Sequence, residues 1–96
     1  MSIRPDGTTK AEFNDDLTIS TAGSSADYLY GFDVRNGGKA DIAKGLFMND
    51  NGAITWSLFA SGADSKIDVN STGSGEVQVI GDVGGYNGGV VNMNMN

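Results

Sequence analysis

The sequence contains no cysteine and no histidine, which removes disulfides, thiolate nucleophiles, imidazole bases and zinc-finger sites together. The missing cysteine is compatible with an oxidising compartment without requiring one. Positive charge is scarce: 6 Lys and Arg stand against 12 Asp and Glu, a net charge of −6. A nucleic-acid backbone or an anionic lipid surface is therefore an unfavourable partner. No apolar run approaches the ~20 residues of a membrane span, so direct membrane insertion is not expected. The N-terminus also lacks the basic-then-apolar pattern of a secretion signal. A cytosolic protein, or a piece of a processed or engineered one, fits those absences. Helical periodicity is missing too, apart from a single turn that Asp41 to Met48 could form.

What the chain does have is glycine, at 15 of 96 residues, together with Asn, Asp, Ser and Thr between short runs of Val, Ile and aromatic residues. That distribution predicts strands separated by turns. The stretch from Tyr30 to Val69 then says nearly the same thing twice. Tyr30-Gly31-Phe32-Asp33-Val34 leads through Asn36-Gly37-Gly38 to Lys39-Ala40-Asp41-Ile42. Trp56-Ser57-Leu58-Phe59-Ala60 leads through Ser61-Gly62-Ala63-Asp64-Ser65 to Lys66-Ile67-Asp68-Val69. Self-similarity of this length points to a repeat architecture.

Residues 1–16 are the least regular part, an irregular segment or partial coil, although Thr9, Ala11 and Phe13 alternate as in a short strand. Residues 17–96 carry the repeats. Leu17, Ala40, Ile67 and Val91 form one apolar series, and Ile19, Ile42, Val69 and Met93 a second. On another strand Tyr28, Ile54 and Val77 correspond, followed by Tyr30, Trp56 and Val79, then Phe32, Leu58 and Gly81, then Val34, Ala60 and Val83. Leu46-Phe47-Met48 reads as an insertion that lengthens the second repeat. Roughly 23–27 residues per repeat suffice for one coil of two or three short strands stacked at the ~4.8 Å strand spacing. The expected fold is all-β, a right-handed parallel β-helix (β-solenoid) of about four coils. An antiparallel sandwich or jelly roll is the alternative use of many short strands. Equivalent residues recurring in the same order and orientation favour the solenoid.

The segments Ile19-Ser20-Thr21-Ala22-Gly23-Ser24-Ser25-Ala26, Tyr30-Gly31-Phe32 and Asn36-Gly37-Gly38-Lys39-Ala40-Asp41-Ile42 resemble coils of bacterial autotransporter passenger domains of the pertactin-like adhesin type. Gly73 to Val83 and Asn87 to Met93 look like the last coils such passengers place before the segment leading to their barrel. The likeness covers about four fifths of the chain and rests on low-complexity motifs. It implies a right-handed β-helix exported across the outer membrane and displayed or released. With no signal peptide, barrel or protease-like domain, the chain is expected to be a fragment of such a protein.

Candidate chemistry sits on the outward positions. Asp16, Lys39, Lys66 and Val90 form one expected column, and Thr18, Asp41, Asp68 and Asn92 the other. Stacked carboxylates at Asp41 and Asp68 are the candidate Ca²⁺ ligands, although Ca²⁺ wants several oxygens and two carboxylates make a weak site. The competing reading is a solvated face on which lysines offset aspartates. Asp50-Asn51-Gly52 and Asp82-Val83-Gly84-Gly85 hint at calcium loops but complete no known spacing, so they read as turns. Asn70-Ser71-Thr72 fits a glycosylation acceptor. Tyr28, Tyr30, Phe32 and Trp56 offer a carbohydrate-stacking platform, but their shared parity predicts an interior column and leaves Phe59 the better exposed candidate. Thr18 gives way to Asp41 and Asp68 in its column, so no threonine ladder of the ice-binding kind forms.

Asp41, Asp68 and Lys66 are the one cluster with catalytic group types, and no nucleophile-elbow sequence accompanies them, so an enzyme is not expected. The expected role is a structural or adhesive segment of a bacterial surface-displayed or secreted protein, located outside the cell. Its partners would be a host surface or carbohydrate. The alternative is a self-assembling fibre subunit, whose open solenoid ends self-associate.

Overall fold

The structure, a computed structural model, describes residues 3–20, 30–49 and 55–94. Ten strands account for its regular structure: β1 (Lys10–Phe13), β2 (Leu17–Ser20), β3 (Tyr30–Arg35), β4 (Lys39–Ile42), β5 (Leu46–Asn49), β6 (Trp56–Ser61), β7 (Lys66–Val69), β8 (Val77–Gln78), β9 (Asp82–Tyr86) and β10 (Val90–Met93). Among the described residues there is no helix, and the expected helical turn at Asp41 to Met48 is instead the end of β4 and most of β5. Every strand pairing is parallel. The sheets run β1-β4-β7-β10, β2-β5-β8 and β3-β6-β9, so the chain visits three sheets in turn and each strand pairs with one three places on. Bridges from Ile3 to Phe32 and from Asp6 to Arg35 add the N-terminal segment to the free side of β3.

Alternation decides which face each strand buries. In β4 and β7 the lysines are exposed while Ala40, Ile42, Ile67 and Val69 are buried. Ala40 pairs with Ile67 and Ile67 with Val91, while Ile42 pairs with Val69 and Val69 with Met93. Phe32 likewise pairs with Leu58 and Val34 with Ala60. These columns are as the sequence predicts. Corners form where backbone chirality demands special residues. Asn36 and Gly37 have φ of 54° and 88°, and Asn87 and Gly88 have 50° and 90°. Two positive values in succession are what a type I′ turn requires, and Asn-Gly supplies them at least cost. The turns close through Gly38 N donating to Arg35 O at 2.9 Å and Gly89 N donating to Tyr86 O at 2.8 Å.

Three expected alignments are corrected. Leu17 and Ile19 do not lie beneath Ala40 and Ile42; they pair with Leu46 and Met48, and Ala11 and Phe13 take their expected places. Leu46-Phe47-Met48 is therefore no insertion but strand β5, whose next partner is Val77 and not a loop. On β9, Trp56 pairs with Asp82, Leu58 with Val83 and Ala60 with Gly85, replacing Val79, Gly81 and Val83. For β2 and β5 the cause is that short apolar pairs such as Leu-x-Ile fit several strands equally in sequence; β9, with Gly84 and Gly85 and no buried side chain, carries too little pattern to fix its register. Tyr28 and Ile54 lie outside the described residues.

In β3 and β6 strict alternation fails. Gly31 and Phe32 are both buried, as are Ser57 and Leu58, so Tyr30 and Trp56 fall on the opposite face from Phe32 and Leu58. The register against β9 shifts at the same place, between Trp56 and Leu58. An irregularity of this kind reverses the side-chain faces on either side of it. Small residues make it fit. A Cβ on Gly31 would stand 2.7 Å from the Ser57 carbonyl oxygen and 2.9 Å from Met48 Cε. The buried Ser57 Oγ accepts hydrogen bonds from Gly81 N at 2.6 Å and Ile80 N at 3.3 Å, which ties the chain entering β9 to β6.

Candidate functional site

The outer face of the four-stranded sheet carries the charged columns. Lys10, Lys39, Lys66 and Val90 are in register, as are Glu12, Asp41, Asp68 and Asn92. Asp41 and Asp68 are thus neighbours on adjacent strands, while Asp16 and Thr18 belong elsewhere and yield to Lys10 and Glu12. Asp16 Oδ1 instead accepts from Gly45 N at 2.9 Å, and Thr18 pairs with Phe47.

Like charges opposite one another destabilise a sheet, and the side chains relieve this locally. Lys10 Nζ reaches Glu12 at 3.1 Å and Lys66 Nζ reaches Asp68 at 3.4 Å. Asn92 Nδ2 donates to Asp68 Oδ1 at 2.9 Å. Lys39 turns the other way, donating to Asp64 O at 2.6 Å and Gly37 O at 3.3 Å. Asp41 Oδ1 is left buried without a hydrogen-bond partner. Among the described residues no three acidic side chains converge in a metal-holding group. Asp41 and Asp68 remain two carboxylates in a row, one of them engaged by Lys66 and Asn92.

Two expected motifs are corrected by burial and topology. Asn70 is fully buried at φ 59°, with its Nδ2 donating to Gly75 O at 3.0 Å, so the acceptor nitrogen of Asn70-Ser71-Thr72 faces inward in the folded chain. Asp82-Val83-Gly84-Gly85 is strand β9 and not a turn. Asp50-Asn51-Gly52 lies outside the described residues.

The second face belongs to β3-β6-β9, and here the expectation of an interior aromatic column is half overturned. Phe32 is buried as expected. Tyr30 and Trp56 are partly exposed because the break at Gly31 and Ser57 turns them outward. Their rings join Phe59 and Tyr86 in one cluster. Tyr30 meets Phe59 at 5.3 Å, Trp56 meets Phe59 at 5.2 Å and Tyr86 at 5.5 Å, all edge to face, and Phe59 meets Tyr86 at 5.4 Å. Ring pairs of this geometry, within a strand or across strands, each contribute about 0.5–1.5 kcal/mol beyond burial. Gly84 makes room for them: a Cβ there would lie 3.0 Å from the Tyr86 ring and 3.3 Å from Trp56.

A polar pair borders the rings. Arg35 Nε donates to Asp33 Oδ1 at 2.6 Å, and the guanidinium lies 5.0 Å from the centre of Phe59 and 5.9 Å from that of Tyr30. The hydrogen bond to Asp33 holds Arg35 above its ordinary pKa. Beside this pair opens a cleft of about 270 Å³ lined by Arg4, Pro5, Asp6, Asp33 and Arg35. Sequence reasoning singled out Phe59 but missed Asp33, Arg35 and Tyr86. The signal available for Tyr30 and Trp56 was the small residue following each, Gly31 and Ser57, at the same place in both repeats.

No protein-family model, curated protein or solved structure matches the chain.

Proposed function

We propose that the chain is a right-handed parallel β-helix of about four coils, forming a structural and adhesive segment of a bacterial surface-displayed or secreted protein of the autotransporter type. The observation that carries this reading is the cyclic visiting of three parallel sheets with in-register apolar columns. Such an order is what a coil of three short strands produces when it repeats, and parallel crossovers are overwhelmingly right-handed. The shortest dimension of the molecule, 18 Å, is near the height of four strands stacked at ~4.8 Å. A stack of this kind is a stiff spacer whose outer faces are free to carry recognition. An antibody raised against the chain should label intact cells that make it. Labelling only after lysis overturns the surface assignment.

A second reading, the self-assembling fibre subunit, has its own support. The exposed large apolar residues among those described are Ile80, Val83, Tyr86 and Val90, all on or beside the last strands. β9 and β10 each have a sheet partner on one side only, so their other backbone edge can template a further strand. A head-to-tail contact between such an edge and the N-terminal strands of a second copy would not close on itself. Light scattering over a concentration series tests it: growth in mass supports the fibre, and a strict monomer at high concentration rejects it.

A further inference from the structure

The outer face of β3-β6-β9 brings together two kinds of group that recognise sugars for different reasons. The C–H faces of a pyranose ring are apolar and pack on aromatic rings, and its hydroxyls need fixed, planar donors and acceptors. Half-exposed Tyr86 and partly exposed Trp56 supply the first, braced from the side by Phe59. Asp33 and Arg35 supply the second, held to each other at 2.6 Å and opening onto the cleft with Arg4 and Asp6. The lining of the cleft is polar apart from Pro5, and the rings stand next to it on the same face, with Phe59 centred 5.0 Å from the Arg35 guanidinium.

Charge and spacing narrow the ligand. Two arginines and two aspartates line the cleft, so its formal charge is balanced, and the whole chain carries −6. An acidic glycan would meet net repulsion, whereas a neutral one would not. Asp33, Phe59 and Gly84 are in register across the three strands, which places Phe59 between the polar pair and the rings that cover Gly84. The two halves of the site are therefore about two strand spacings, ~10 Å, apart. That separation exceeds one sugar ring and calls for an oligosaccharide.

We propose that this face binds a neutral oligosaccharide, one ring packing against Trp56 and Tyr86 and a neighbouring unit hydrogen-bonding to Asp33 and Arg35. The inference rests on the reading of the chain as a binding surface and names the ligand class of that surface. Trp56 is the sole tryptophan, so its emission reports on this face alone. The full chain is titrated with cellohexaose, maltohexaose, mannohexaose and hexa-N-acetylchitohexaose, all neutral, into the millimolar range. The expected result is a saturable change in Trp56 emission with at least one of them, and a much weaker response to the corresponding monosaccharide. Tyr86→Ala and Asp33→Asn should each weaken the binding by roughly tenfold or more, the loss of one stacking or charged hydrogen-bonding group. Lys66→Ala, on another sheet, should leave it unchanged. If Tyr86→Ala disturbs the fold by circular dichroism, Tyr86→Phe keeps the ring and should retain most of the affinity, with Asp33→Asn carrying the loss.

The proposal is overturned if none of the four sugars gives a saturable response, or if Tyr86→Ala and Asp33→Asn bind as the parent does. It is equally overturned if Trp56 becomes shielded from acrylamide as protein concentration rises, which would mean that a second copy covers the face. A chain that labels on intact cells but ignores all four sugars loses the glycan and keeps the surface reading, so the two failures are distinct.

Discussion

Replacing Ile67 by Asp tests the stacked columns where they are most constrained. Ile67 is completely buried in β7, with Ala40 beside it on one neighbouring strand and Val91 on the other. Removing the aliphatic side chain alone, as in Ile67→Ala, should cost about 2–5 kcal/mol in transfer and cavity terms. A carboxylate at this point adds several kcal/mol more, because its strand neighbours Ala40 and Val91 are apolar and offer it neither a cation nor a side-chain donor. A domain of this size has roughly 5–15 kcal/mol in total, so Ile67→Asp should be unfolded at neutral pH while Ile67→Ala folds with a lowered midpoint. The charged form is what burial penalises, so the folded-state pKa of the introduced acid lies above its unfolded value. Its penalty therefore shrinks as pH falls through that raised pKa, and the deficit relative to the parent should narrow in mild acid. Far-ultraviolet circular dichroism and urea melts at several pH values measure all of this. An Ile67→Asp chain with the parent's spectrum and midpoint at neutral pH would refute the register of β4, β7 and β10.

Gly89→Ala should destabilise by about 1–3 kcal/mol, since a Cβ there would collide with the Ala60 carbonyl, and backbone cannot yield as a side chain can; a urea midpoint reads it. Asp41→Asn should raise stability by about 0.2–1 kcal/mol, because it removes a charge lying between Glu12 and Asp68 whose Oδ1 has no partner; a drop would mean that the carboxylate is engaged. Millimolar calcium should leave the parent's Tm in place, two carboxylates being too few; a rise that vanishes when Asp41 and Asp68 are both Asn would assign them to a cation. Asn70→Ala should lose about 1–3 kcal/mol by thermal melt, as it removes the bond to Gly75 O and puts alanine at φ 59°.

Much of the fold is local in origin and so was legible from residue order. Lys-apolar-Asp-apolar alternates at period two, and a strand with one wet and one dry face can bury only Ile67 and Val69, never Lys66 and Asp68. The Asn-Gly corners at Asn36 and Asn87 are as local, because only residues that tolerate positive φ can turn the chain there. The pairing of Asp41 with Asp68 then follows from repeating the same short segment.

Tertiary structure decided the rest, and most of the candidate site lies there. Leu17-Thr18-Ile19 suits β4 as well as β5 by pattern, and only the total burial of all three sheets sends it to Leu46 and Met48. Tyr30 shares parity with Phe32, so alternation alone places it inside. Gly31 and Ser57 reverse that placement, because each is small enough to sit in the interior beside its apolar neighbour and turn the preceding ring outward. Tyr86 meets Trp56 across a strand boundary 30 residues away in sequence, over a glycine that no pattern marks. Periodicity specifies the two faces of each strand. Which strands lie side by side, and hence which outer residues meet, is a comparison among whole packings, and a single step of register is enough to change its answer.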